Sequence, residues 1–344
     1  MPWDGPEIHT YNQPESWLNT DNMNLSSAAI PDLDTLATEL GTAVAESGVL
    51  VGELTVISRQ PNIYCSTFPS EIVTCRLGDR QKIRVLCKYS AEVDNESYGT
   101  RRGIEYETDV YRQLLQTLDL SCPTFYGAYR EPANNRTGLV LEYLADSVRL
   151  IHSSDIGTVL EAAAWIGRFH ALCSTRISSP ALSFLNSYDP EYYRGWARRT
   201  LNMEQQSGLA PRWLETVCSR FDEVIEMLCE APSTIIHGEY YPKNILLHDG
   251  LIYPVDWEST AIASGEIDLA TLTEGWAPDD IERLELEYQQ ARWPQGSPYD
   301  FHRVLVAARI YIQFRWLGDP RARLKEYNHY LDALHTYAGE MGLI

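Results

Sequence analysis

His237, Gly238, Glu239, Asn244 and Asp256 combine side chains that can bind a hard cation with side chains that can move a proton, and they fall within one short stretch. Ile235 and Ile236 form an apolar run ahead of them, and Ile245 to Leu247 and Leu251 to Val255 form two more. Between the last two runs stands His248-Asp249-Gly250, a tight-turn signal, because Asp and Gly tolerate the positive φ of a primed hairpin turn. The pattern predicts loop, strand, turn, strand, acid. It gathers Glu239, Asn244 and Asp256 at one end of a small hairpin. Two carboxylates and a carboxamide make an oxygen-rich site suited to Mg²⁺, with Asn244 and Asp256 as ligands and the rest of the shell left to phosphates and water.

The spacing sharpens this reading. Glu239 and Asn244 are five positions apart, the frame of the kinase catalytic loop H-R-D-x-x-x-x-N. There the acid receives the proton of the attacking hydroxyl and the Asn holds a metal. A buried His, a turn Gly and surface carboxylates would be the competing account of any one residue alone. The ordered set with a hairpin inside it favours a phosphotransferase-type site.

Such residues need a nucleotide-binding framework ahead of them. Leu54–Ser58, Glu71–Leu77 and Lys82–Lys88 are predicted strands, with a turn at Leu77-Gly78-Asp79-Arg80. In the third strand, alternation sets Ile83, Val85 and Cys87 on one face and Leu86 and Lys88 on the other. Lys88 ends this strand as the lysine of V-A-I-K does, where its ammonium pairs with the α/β-phosphates. The stretch Asn62 to Ser70 contains no glycine, so phosphate contacts there would come from Ser66, Thr67 and Ser70.

The segment resembles the aminoglycoside phosphotransferase and choline kinase-like family, which has the protein-kinase-like fold. His237-Gly238-Glu239 is similar to its His-Gly-Asp, and Pro242-Lys243-Asn244-Ile245-Leu246 to its Pro-x-Asn-Ile-Leu. Val255-Asp256-Trp257-Glu258 and Ile267-Asp268-Leu269-Ala270 stand where the family has its Ile-Asp-Phe or Ile-Asp-Trp and its Asp-Leu-Ala. The departure is Glu239, where the family has Asp. Tyr241 stands where Ser/Thr protein kinases carry Lys. The resemblance implies ATP, or GTP, with Mg²⁺, and Glu239 as catalytic base beside His237. Glu107, in the family's Glu-x-x-x-Tyr frame, becomes the candidate partner of Lys88, with Glu105 a close rival on the same helix. Thr137–Leu144 looks like the hinge, where backbone of Glu142 and Leu144 would bind adenine. An acceptor pocket would draw on Tyr240, Trp257, Glu258, Glu274 and Trp276, all of which could equally serve packing.

The chain has 344 residues, 44% hydrophobic and 22% charged, enough for a large core in two lobes. No apolar run approaches the ~18 residues of a membrane helix. Met1-Pro-Trp-Asp-Gly-Pro lacks the basic and apolar regions of a signal peptide. Seven cysteines without a C-x-x-C pair are read as buried thiols in a reducing cytoplasm. The net charge of −20 argues against nucleic-acid binding and is compatible with a cationic substrate.

The predicted architecture is α+β and bilobal. Residues 1–30 form an arm, 31–145 a small antiparallel-sheet lobe, and 146–344 a larger, mainly helical lobe. Within the last, helices are predicted over Thr158–Thr175, Glu191–Glu204, Trp213–Cys229, Asp279–Arg292, Asp300–Phe314 and Arg321–Tyr337. The predicted chemistry is γ-phosphoryl transfer to a hydroxyl of a small molecule. Two alternatives stay open: a kinase-like enzyme acting on Ser or Thr of a peptide, and an ATP-binding pseudokinase whose altered acid no longer serves catalysis.

Overall fold

A computed structural model describes residues 30–48, 52–64, 68–78, 81–91, 102–131, 135–153, 155–208, 210–297 and 299–344. The arm up to residue 29 and the candidates Ser66 and Thr67 therefore lie outside the described residues.

The first helix, α1 (Leu33–Ser47), opens where the Asp32 carboxylate accepts the Thr35 N–H at 2.8 Å and closes at Gly48, whose φ of 66° is left-handed. Strands β1 (Leu54–Pro61), β2 (Ser70–Leu77) and β3 (Gln81–Tyr89) follow, then α2 (Ile104–Gln113), β4 (Phe125–Arg130) and β5 (Thr137–Glu142). Among the described residues these strands form an antiparallel sheet in the order β1-β2-β3-β5-β4. Leu36, Leu40 and Val44 of α1 pack on the face carrying Val73, Val85, Cys87 and Val140. The opposite face, with Leu139 and Leu141, meets Ile104, Val110 and Tyr111 of α2 and joins the core of the second lobe. β4 is not evident in the sequence, because one of its buried positions is Gly127, which adds no apolar side chain to the pattern and sits at a register shift with φ 137°.

The second lobe runs β6 (Val148–Arg149), α3 (Ile156–Ser174), β7 (Asn186–Ser187), α4 (Pro190–Ser207), α5 (Arg212–Ser219), α6 (Phe221–Glu230) and β8 (Ser233–Ile236). It continues with the hairpin β9 (Ile245–His248) and β10 (Leu251–Pro254), then β11 (Ala261–Ser264), α7 (Glu266–Thr273), α8 (Pro278–Arg292), α9 (Phe301–Gly318) and α10 (Pro320–Glu340). The single helix predicted from Trp213 to Cys229 is instead two. The chain leaves helical geometry at Arg220, whose guanidinium binds Glu223 and the Gly342 carbonyl. α9 is buried continuously from Val304 to Gly318, so it is the axis of this lobe. Among the described residues no helix is long and apolar enough to cross a membrane.

Two short sheets position the loops. β9 pairs with β10 and with β6, which ties the hairpin to the segment leaving β5. β8 pairs with β11, which brings the ends of the 237–260 segment together. The hairpin turn is as the sequence predicts, with Asp249 at φ 48° and Gly250 at φ 76°.

Candidate active site

The loop after β8 is held from behind by one carboxylate. Asp268, in the first turn of α7, accepts the His237 N–H at 2.7 Å and the Gly238 N–H at 2.9 Å. His170 Nε2 lies 3.1 Å from the same group, and its Nδ1 is 2.9 Å from the Tyr288 hydroxyl. Gly238 has φ 83°, and a Cβ there would stand 2.2 Å from the Ser259 carbonyl oxygen. Position 238 thus demands glycine for conformation and for space. His237 is buried between its neighbours: Nε2 donates to the Val255 carbonyl at 3.0 Å, and Nδ1 accepts the Glu239 N–H at 3.3 Å. That partner set requires the neutral Nε2–H tautomer. Burial, partly countered by Asp268, holds its pKa below the ordinary value. His237 stands directly beside Glu239 in the loop. It braces the loop onto the strand leading to Asp256, with both ring nitrogens engaged.

Glu239 is 3% exposed. One carboxylate oxygen accepts Arg315 Nη2 at 2.5 Å and the other the Tyr241 hydroxyl at 2.7 Å. Arg315, on α9, also donates to the Gly238 carbonyl at 2.6 Å. Burial is the largest influence and opposes its charge, but Glu239 and the groups around it together prevail and raise the Arg315 pKa above the ordinary value. The Asn244 amide nitrogen donates to the Glu239 carbonyl at 3.2 Å, leaving the carboxamide oxygen as the atom for a cation. The Val255 N–H donates to the Asn244 carbonyl at 2.9 Å, so the loop and the strand before Asp256 are joined directly.

Lys88, Glu107 and Asp256 converge from β3, α2 and the end of the hairpin. The Lys88 ammonium lies 2.6 Å from Glu107 and 2.8 Å from Asp256. Glu105, the rival, is exposed. The second Glu107 oxygen accepts the Trp257 N–H at 3.3 Å, tying α2 to the residue after Asp256. Burial works against the Lys88 charge, but Asp256, Glu107 and Glu258 together prevail and raise its pKa. Burial likewise works against the Asp256 carboxylate, and Lys88 holds its pKa below the ordinary value. Glu107 is raised, because its complete burial exceeds what a shared lysine offsets. Asp256 adopts φ 65°, a left-handed geometry that Asp tolerates better than most residues. Among the described residues no three His, Cys, Asp or Glu side chains are grouped to hold a metal unaided. The donors fit a cation that completes its shell with phosphate and water: one carboxylate, one carboxamide oxygen and an excess of negative charge.

A cavity of about 310 Å³, large enough for a small ligand, lies between the sheet and the helical lobe; Glu239 and Asn244 are not among the residues that line it. Lys88, Glu107, Asp256 and Glu258 line it, with Ser70 on one side and Glu142 and Leu144 on the other. The Glu142 N–H already donates to the Thr124 carbonyl, and its carboxylate holds the Thr124 N–H and hydroxyl. Glu258, expected at the acceptor pocket, is on this side. Tyr240 and Trp257 are corrected to core residues. Both are wholly buried, with the Tyr240 hydroxyl on the Ala162 carbonyl and the Trp257 indole nitrogen on the Pro254 carbonyl. Glu274 is buried against Gln313 of α9, 3.2 Å away, and Trp276 is half-buried; neither lines the cavity.

The sequence reading did not identify Arg315, the loop-holding role of Asp268, or Arg149. Arg149 lines the cavity with its guanidinium 4.5 Å over the Tyr64 ring and donates to the Lys243 carbonyl. A signal for Arg315 existed: an arginine inside the apolar run Ile310 to Leu317 is costly to bury without a partner.

No family model matches this chain, and no curated protein sequence does either. Solved structures match it at low identity over most of its length. A point variant of aminoglycoside 2'-phosphotransferase-IIIa, in complex with GDP, superposes with a TM-score of 0.59 at 11% identity, covering 90% of this chain and 98% of that one. Choline kinase from Cryptosporidium parvum gives 0.56 at 14%, covering 85% and 91%. Macrolide 2'-phosphotransferase MphH from Brachybacterium faecium gives 0.54 at 16%, covering 89% and 98%. The chain has the bilobal, protein-kinase-like α+β fold that these structures share.

Proposed function

We propose that this chain is a member of the aminoglycoside phosphotransferase and choline kinase-like family, and that it transfers the γ-phosphoryl group of ATP to a hydroxyl of a small molecule with Glu239 as base. The observation that carries the reading is Lys88 shared by Glu107 and Asp256 at the edge of a cavity between the sheet and the helical lobe, with the Glu239–Asn244 loop joined to the strand that delivers Asp256. The phosphotransferases with this fold, one of them solved with GDP, support the same class of chemistry.

Adenine would occupy the cavity against Glu142 and Leu144, with the phosphates directed at Lys88. Asn244 and Asp256 would hold Mg²⁺, which neutralises charge on the phosphates when bound. The acceptor oxygen attacks the γ-phosphorus, its bond to phosphorus forms as the bond to the ADP oxygen breaks, and its proton passes to Glu239. Catalysis of this kind rests on positioning and charge stabilisation. A second reading, an ATP-binding pseudokinase, is motivated by Glu239 itself, which is buried with both oxygens engaged.

ATP with Mg²⁺ is expected to raise the melting temperature by binding only the folded state, and Asp256→Ala to remove the metal-dependent part. ADP formation against a library of hydroxyl compounds then separates the two readings. With an acceptor found, Glu239→Gln should lower kcat by ~10² or more. Absence of any thermal shift with nucleoside triphosphates at millimolar Mg²⁺ would sink both readings, and binding without turnover would leave the pseudokinase.

A further inference from the structure

Arg315 reaches the base from 76 positions further along the chain. Its two terminal nitrogens grip one short segment: Nη1 on the Gly238 carbonyl at 2.6 Å, and Nη2 on the Glu239 carboxylate at 2.5 Å. The contact is almost dry, with 5% of the arginine side chain and 4% of the glutamate exposed. One turn earlier on α9, Tyr311 packs with Tyr188 and Tyr192 in one aromatic cluster. On the base's own loop stand Tyr241 and His237, and from α7 comes Asp268, which holds the backbone on both sides of the His237–Gly238 bond. With this loop held in place, an aspartate at 239 would end about 1.5 Å short, one C–C bond. Its nearest oxygen would lie about 4 Å from the guanidinium, beyond hydrogen-bond reach.

We propose that Arg315 is a positioning residue for Glu239, and that the longer acid stands at 239 because only it spans the distance to that guanidinium. The inference rests on the phosphotransferase reading for its catalytic consequence and on the geometry alone for the pairing. Arg315 fixes one oxygen of the base and Tyr241 the other, so the carboxylate has one orientation relative to Asn244. Arg315 does not line the nucleotide cavity. Its loss should therefore act on turnover and leave nucleotide affinity unchanged.

The test measures phosphate release from Mg-ATP, with water as acceptor, alongside affinity for a fluorescent ATP analogue. For Arg315→Ala the expected result is a fall in kcat of about 10²-fold, the scale of a 1 Å misplacement, at unchanged analogue affinity. Millimolar guanidinium should restore part of the loss. In a Glu239→Gln background Arg315→Ala should cost nothing further, and Glu239→Asp should mimic it without adding to it. Additive losses, or a loss of affinity matching the loss of kcat, overturn the proposal. Should Arg315→Ala fail to fold, Arg315→Lys decides: it keeps the charge but not the two-point grip, so wild-type kcat in a folded Lys variant is the contrary result. A turnover-free measurement separates this inference from the function it rests on. The side-chain nitrogen resonances of Arg315, assigned by their loss in Arg315→Lys, should be protected from exchange in the full chain and exposed in Glu239→Asp. A wild-type protein that binds the analogue yet releases no phosphate removes the catalytic role. Protection that survives Glu239→Asp removes the length argument.

Discussion

One lysine serving two carboxylates is the arrangement on which the candidate site turns. Lys88 sits between Glu107 and Asp256 with 6% of its surface exposed. Two acids on one base, Glu107 buried and Asp256 half-buried, leave an excess of negative charge, which a bound cation and the phosphates would balance together. Charge-assisted hydrogen bonds are worth ~1.5–3 kcal/mol, so Lys88→Ala should weaken binding of a fluorescent ATP analogue by about 10-fold or more. Lys82, exposed at the start of the same strand, is the matched control, and Lys82→Ala should leave affinity unchanged. Equal affinities for the two variants would remove Lys88 from the site. Its neighbour in chemistry, Arg149, differs in character: burial, the largest influence, disfavours its charge and holds its pKa below the ordinary value, with Asp256 and Tyr64 opposing.

The loop from β8 to β9 works as an element because its backbone is fixed at three points: Asp268 behind it, Arg315 across it and Ser259 beneath it. Gly238 is the position with least freedom. Gly238→Ala combines the cost of a left-handed conformation, ~1–2 kcal/mol, with a clash against backbone that cannot rotate away. Gly250, also left-handed at φ 76°, has open space where a Cβ would go. Gly250→Ala should therefore cost about the conformational term alone, and Gly238→Ala at least ~2 kcal/mol more. Urea unfolding of the two variants beside wild type measures the difference. Equal losses would show that the loop yields and that the Ser259 contact does not constrain it.

Across the whole molecule, buried histidines tie stability to pH. Burial holds His170 and His237 below their ordinary pKa of 6.5, even with Asp268 beside them. Below about 6.5 the unfolded chain therefore binds more protons than the folded one. Stability due to these groups is complete above that pH and declines as pH falls toward the folded-state values. The slope should approach ~1.4 kcal/mol per pH unit for each imidazole that remains neutral. His329, partly exposed and raised by Glu274, runs the other way: its contribution is present below 6.5 and fades as pH rises through its folded pKa. Solvent screening keeps that term small. Chemical denaturation from pH 8 to pH 5 should show stability falling over the lower half of the range. A flat profile would mean that the buried imidazoles take up protons without cost.

Local chemistry was legible in the amino-acid order wherever the partners are close in the chain. The Asp249-Gly250 turn, the hairpin, and the joining of the Asn244 loop to the strand before Asp256 follow from residue types and a period of two. The place of Lys88 on β3 follows from alternation. What distance in sequence separates, only the tertiary structure decided. Glu107 and Glu105 share a helix and a chemistry, and the choice between them depends on which face of α2 meets Lys88. Tyr240 and Trp257 have the character of pocket or core alike, and packing against Trp165 and Phe169 settles them as core. Arg315 is invisible as a partner of Glu239 until α9 is laid through the middle of the lobe. Its charge could be noticed in an apolar helix, but the atom that satisfies it could not be named. A buried charge must be paired, which sequence can say. Which acid pairs with it is set by how the elements pack, and that is a property of the folded chain.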